Sequence, residues 1–297
     1  MSAEKTPTPP AAGGGGTPAA CTTAPCPCPT KVVFKEDGDN YGWDDKTDAA
    51  VPWKSVEKGQ RDTVKAEITP ADKATAAEFV SGDTAKAAVS PGKASSDKQV
   101  VTVTGAEKGE TLVKSTCGGM GLNKFKVATY VKKSKTVAVR LVHGKNYTST
   151  DIGDAGIKER LKKVFKQAVF EFTVTRLPAK TVEFDKNTDG KIDVDSWMSE
   201  EMKAVRDACK DDSYDYNLFI VDKPSDGSFG FMEFNQRYGF IHADRTTTPL
   251  KTVSHELGHG AFGLEHKPLD TDNLMKQGEG DNMWRLRKDQ WDKINPP

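Results

Sequence analysis

Three of the chain's five histidines fall within twelve residues, in His255-Glu256-Leu257-Gly258-His259 and the following Gly263-Leu264-Glu265-His266. On an α-helix, residues four apart lie one turn apart on the same face. His255 and His259 can therefore direct two imidazoles at one metal ion. Glu256 then stands close enough to take a proton from water activated by that ion, which is the chemistry of metal-assisted hydrolysis. The third ligand needs a turn. If the helix ran on to His266, about eleven residues at ~1.5 Å rise would carry it roughly 16 Å from His255, beyond any ion held by Zn–N bonds of about 2 Å. Gly263 is the residue that allows the chain to fold back, because glycine takes the left-handed conformation after a helix without strain. Gly263-x-x-His266 would then return an imidazole toward the first two.

The helix itself is announced upstream. Thr248 is a candidate N-cap, with Pro249 at the first helical position. Leu250, Val253, Leu257, Ala261 and Leu264 recur at helical spacing and give it a buried face, with the histidines off that stripe. Before it, from His143 onward, helical and strand patterns mix. Ile157, Leu161, Val164, Phe165 and Ala168 predict an amphipathic helix, and Met198, Met202, Val205 and Cys209 a second. Phe170/Phe172/Val174 alternate as a strand that Val182/Phe184 can extend, Leu218 to Val221 reads as a short buried strand, and Phe231 to Ala243 as a longer strand or hairpin.

These residues resemble the metzincin metallopeptidases, whose pattern is HExxHxxGxxH followed by a methionine-containing turn. Asn273-Leu274-Met275 looks like that turn, and Leu286 to Ile294 like the family's C-terminal helix. Only Thr248 to Ile294 matches at motif level. One residue is extra: Gly263 and His266 stand eight and eleven after His255, where the family has seven and ten, and Phe262 is the candidate insertion. Keeping Gly-x-x-His makes His266 the third zinc ligand, whereas a strict count makes it Glu265. The resemblance implies Glu256 as general base, Met275 packed beneath the zinc site, and a strand bordering the cleft that pairs with extended peptide. That strand would be Tyr238-Gly239-Phe240-Ile241-His242. Where some branches carry a tyrosine two residues after the methionine, this chain has Gln277.

The rest of the chain frames this site. With 297 residues there is room for two domains. Charge is balanced, 43 basic against 43 acidic residues, which gives no reason to expect nucleic acid or an anionic membrane as partner. No apolar run approaches the ~20 residues of a membrane span. Residues 1–30 are rich in Pro, Gly and Ala and read as a disordered tail. Residues 31–142 alternate as short strands: Val64/Ala66/Ile68, Val100/Val101/Val103, Phe125/Val127/Thr129/Val131 and Val137/Val139/Leu141. Such spacing suggests a small β-sandwich, similar to bacterial Ig-like domains. Cys21, Cys26 and Cys28 read as exposed tail thiols, and a Cys117–Cys209 disulfide is possible in an oxidising compartment. Asp185, Asn187, Asp189, Lys191 and Asp193 follow the start of an EF-hand-type calcium loop, with Ser196 where a bidentate glutamate belongs and a polar turn as the plainer reading.

The expected architecture is α+β: residues 143–297 a metzincin-like domain with a twisted mixed sheet, active-site helix and Met-turn, preceded by the β-sandwich and the tail. The expected activity is zinc-dependent cleavage of protein or cell-wall peptide, with Ca²⁺ as a second candidate ion. The alternative is a binding or adhesion protein whose zinc is structural. Met1 to Thr17 lacks the apolar core of a Sec signal peptide, so export would need another route or a removed leader. In arrangement the chain resembles bacterial effectors delivered by a specialised secretion system, which would bring a cognate inhibitor or immunity protein as a further partner.

Overall fold

In Arg61–Thr69 every second side chain, from Asp62 to Ile68, is buried and the rest face outward. That period of two is what a strand with one face on a core requires. It recurs through the N-terminal half of the computed structural model, which describes residues 27–195 and 198–297. The strands are β1 (Lys31–Glu36), β2 (Trp43–Asp44), β3 (Trp53–Glu57), β4 (Arg61–Thr69), β5 (Glu78–Ser81), β6 (Ala87–Ser90), β7 (Lys98–Gly105), β8 (Gly109–Cys117) and β9 (Met120–Tyr130). They make two sheets, β1-β4-β7-β6 and β2-β3-β9-β8-β5. One core joins them, built from Val32, Phe34, Val64, Phe79, Val101, Phe125 and Val127 among others. Phe34 of one sheet meets Phe125 of the other edge to face, with centroids 4.7 Å apart.

Cys28 corrects two expectations from the sequence. It is buried and disulfide-bonded to Cys117 at the end of β8, so it is not an exposed tail thiol but part of the folded sandwich. Cys209 is a buried free thiol on another element. Spacing could not show this, because only folding brings Cys28 alongside β8. Cys21 and Cys26 lie outside the described residues. The bridge closes a loop with a sequence separation of 89. Replacing both cysteines by serine is expected to cost about 4.6 kcal/mol by loop-closure entropy. A lowering of Tm by roughly 10 °C in a thermal melt would match that cost.

The second unit starts at β10 (Lys133–Gly144) and continues through α1 (Asp154–Phe165), β11 (Phe170–Val182), α2 (Glu200–Cys209), β12 (Tyr216–Ile220), β13 (Gly230–Met232), β14 (Tyr238–Ile241), α3 (Pro249–Phe262) and α4 (Lys288–Ile294). The strands form one sheet in the order β11-β10-β12-β14-β13. All neighbours are parallel except β13, which runs antiparallel to β14 at the edge. Leu218 and Ile220 of β12 face a core shared with α1 and α3, while Phe219 faces a second core shared with α2. Burial on both faces is why this segment is an unbroken apolar run.

β10 moves the domain boundary. Val137, Val139 and Leu141 alternate like the sandwich strands before them, yet β10 pairs with β11 and β12. The sandwich ends at β9, ahead of residue 133 rather than after 142, since alternation shows a strand but not which sheet it joins. The fold is mixed α+β, mostly sheet with few helices.

The C-terminal segment fastens the two units. Trp291 is fully buried, and a Cβ added at Gly42 would lie 2.4 Å from its indole. Arg285 holds Glu36 through two hydrogen bonds of 2.6 Å. Lys288 Nζ donates to Glu110 at 2.6 Å, and Tyr130 donates its hydroxyl proton to Asp292 at 2.8 Å.

Candidate metal centre and its cleft

The three histidines stand on one helix and the turn that ends it. Thr248 occupies the N-cap without a side-chain capping bond, and Pro249 opens α3. Val253 and Leu257 face the core, and His255, Glu256 and His259 are also buried, on the side toward the cleft. Phe262, the candidate insertion, stays within the helix. Its ring packs on Phe165, Phe170 and Phe172 at centroid distances of 5.5, 4.9 and 5.8 Å. Gly263 then takes φ 60° and ψ 32°. Its N–H donates to His259 O at 2.8 Å, and the Leu264 N–H to Gly258 O at 3.0 Å, closing the helix in the way a left-handed glycine permits.

This turn brings His266 back. The Nε2 atoms of His255, His259 and His266 form a triangle with edges of 3.1, 3.3 and 3.1 Å. Four donors arranged tetrahedrally at ~2.05 Å from a zinc ion stand about 3.3 Å apart, so the triangle fits one ion. Glu265 is exposed and outside the cluster. The other ring nitrogens fix the tautomers. His255 Nδ1 lies 3.0 Å from Leu274 O and His259 Nδ1 lies 2.6 Å from Leu264 O. Since carbonyls only accept, each Nδ1 carries the proton and each Nε2 lone pair faces the triangle. Burial lowers the pKa of all three, with the Lys251 charge acting the same way: His255 falls well below the usual histidine range, His259 to about 4, and His266 less far. All three are therefore neutral at pH 7, the state in which imidazole can bind a metal. The three-histidine cluster can bind a metal ion.

The turn that carries Met275 sits beneath. Met275 is fully buried, and a Cβ on Gly258 would fall 2.7 Å from its sulfur, so the helix can rest on Met275 only because residue 258 is glycine. Asn273 Oδ1 accepts the Met275 N–H at 2.9 Å, and Asn273 Nδ2 donates to Gln290 of α4 at 2.8 Å. The Lys267 N–H donates to Met275 O at 3.0 Å, tying the segment that carries His266 to the same turn.

The triangle opens into a cleft of about 490 Å³ lined by β13, α3 and the segment that follows Met275. The expected substrate strand is corrected here. Tyr238–Ile241 is β14, paired on one side with β12 and on the other with β13, so it has no free edge for a peptide. The edge belongs to β13, and Gly230, Phe231 and Met232 line the cleft. A Cβ on Gly230 would lie 2.9 Å from Glu256 Cγ and 2.8 Å from Thr252 Cγ2, so the strand passes directly over the helix at the carboxylate. Burial pushes the Glu256 pKa up to about 8, against the opposing pull of Lys251 and of a backbone hydrogen bond from Met232.

Three further site residues were not singled out in the sequence. Phe234 stands edge-on to the His259 ring, 5.0 Å between centroids. Gly230 looks like any loop glycine until β13 is placed. Lys251 lies one turn before His255 on the same face, which the i, i+4 relation alone could have shown. The Asp185 loop behaves differently from the histidines. Its backbone N–H groups at Asp189, Gly190 and Lys191 bond to Asn187, Asp185 and Asp189 side chains, which describes a polar turn. Among the described residues the group of three or more His, Cys, Asp or Glu side chains close enough to share an ion is His255, His259 and His266, and Ser196 lies outside the described residues.

No family model matches the chain, and no curated protein matches it. Among solved structures, metalloproteinase-II from Bacteroides fragilis is similar over 82% of this chain and 84% of its own, at 12% identity and a TM-score of 0.37. Domains 4 and 5 of the S-layer protein SbsC are similar over 33% of this chain and 53% of theirs, at 22% identity and a TM-score of 0.22. Domains 5-6 of SbsC are similar over 35% and 48%, at 22% identity and a TM-score of 0.24. This chain thus spans about half the length of those S-layer fragments. Likenesses this loose carry no argument, and the site stands on its own geometry.

Proposed function

We propose that this chain is a zinc-dependent endopeptidase of the metzincin kind. The carrying observation is a triangle of three neutral imidazoles at the floor of a cleft, with the buried Glu256 carboxylate on the same helix turn. Structural zinc sites are closed by four protein ligands, whereas catalytic ones keep a position open. Among the described residues no fourth His, Cys, Asp or Glu joins the three, which favours catalysis over a merely structural ion. A bound zinc ion would supply Lewis acidity to a substrate carbonyl and to water in the cleft. With the charge of such an ion beside it to hold the carboxyl ionised, Glu256 would be the group placed to take a proton from that water and hand it to the leaving amine. The edge of β13 offers backbone groups on which an extended peptide can be aligned by β-augmentation. The Cys28–Cys117 bridge supports a working place outside a reducing cytoplasm.

The test is direct. Elemental analysis of protein never exposed to chelator is expected to give about one zinc per chain. A denatured-protein mixture or purified peptidoglycan should be cleaved without chelator and left intact with it. Zinc-free protein that still cleaves would sink the reading.

A further inference from the structure

We propose that Lys251 makes this cleft select a substrate carboxylate beside the scissile bond, an inference that rests on the peptidase reading. Lys251 stands one turn before His255 on α3, is 4% exposed, and lines the same cleft as the three histidines. An ammonium group taken out of water costs several kcal/mol unless a counter-charge meets it. Among the described residues no carboxylate does. Lys251 Nζ donates to Lys276 O and Gly278 O, both neutral and both at 2.9 Å. Its next polar neighbour, at 3.4 Å, is His255 Nδ1, whose proton is already given to Leu274 O. An ammonium has three N–H donors, so among the described residues one is left without an acceptor.

The surrounding charges do not supply a counter-ion. Glu256 and Glu279 are the acids near enough to affect Lys251. Glu279 is held by the Thr247 N–H and hydroxyl at 2.6 and 2.9 Å, and Glu256 faces β13. Arg160, a second buried cation nearby, bonds to Asp281 O and Met283 O and adds positive potential. The aromatic residues Phe229 and Phe231 line the same cleft. Apolar walls that hold one uncompensated cation suit a ligand group with a hydrocarbon stem and an anionic end. In a peptide that group is the side chain of Glu or Asp, or a C-terminal carboxylate one residue past the cut.

The probes are fluorescein-labelled heptapeptides in an Ala/Gly background, amidated at the C-terminus, with Glu or its neutral isostere Gln at each position in turn. A further set carries Gln and a free C-terminal carboxylate. The expected result is a Glu-to-Gln ratio in kcat/KM of tenfold or more at one position, collapsing toward one in Lys251→Met and kept in Lys251→Arg. A preference confined to the free C-terminus would identify the main-chain carboxylate as the ligand. Binding of the same peptides to Glu256→Gln protein, read by fluorescence anisotropy, gives the ratio without turnover. If no peptide is cut but the binding ratio holds, the peptidase reading fails and the carboxylate site stands. A wild-type ratio near one in binding and turnover, for every peptide, overturns the proposal, as does a preference that survives Lys251→Met.

Discussion

Glu256→Gln is expected to lower peptide hydrolysis by about 10²–10⁴-fold while leaving zinc content unchanged, the span general-base removal gives elsewhere. The reasoning is steric as much as chemical. Glutamine matches glutamate in shape, and Gly230 passes so close to the Glu256 stem that even an added Cβ there would lie 2.9 Å from Cγ. The amide can occupy the same space and still meet β13, but it cannot take a proton from water. The histidines are untouched because none of their hydrogen bonds runs through Glu256: Leu274 O and Leu264 O hold the rings. The variant should therefore show wild-type zinc by elemental analysis and a wild-type melting curve. Hydrolysis at the wild-type rate would mean that Glu256 is not the base and that the mechanism is wrong.

His266→Ala should weaken zinc binding by about 10²-fold. Dividing the roughly 10–16 kcal/mol of a structural zinc site among four ligands gives about 3 kcal/mol each, or two decades in affinity. Glu265→Ala should leave zinc affinity and activity in place, since its side chain is exposed and outside the cluster. Gly263→Val should behave like His266→Ala. A β-branched residue is strained at φ 60°, and any relief of that strain rotates the segment that returns His266 to the triangle. Zinc affinity measured by competition with a chromogenic chelator separates the three variants. Loss in Glu265→Ala with retention in His266→Ala would mean that the ligand set is two histidines and a carboxylate.

What the sequence determined by itself is what depends on near neighbours. The pair His255 and His259 is fixed by helix periodicity, Gly263 by the left-handed conformation that only glycine takes cheaply, and the strands by alternation of residues such as Val64, Ala66 and Ile68. Long-range pairing was decided only by the tertiary structure. Cys28 finds Cys117 and not a neighbour in its own tail because β8 ends beside the start of β1. β10 alternates like a sandwich strand, yet its hydrogen bonds go to β11 and β12. The cleft edge falls to β13, three residues that are weak as a strand signal, because β14 is enclosed between two partners. Lys251 shows the same division. Its place one turn before His255 is written in the helix repeat, but its burial without a counter-ion depends on the segment from Lys276 to Gly278 folding over it. Side-chain periodicity is local, whereas strand order, disulfide choice and burial of charge depend on which distant segments meet.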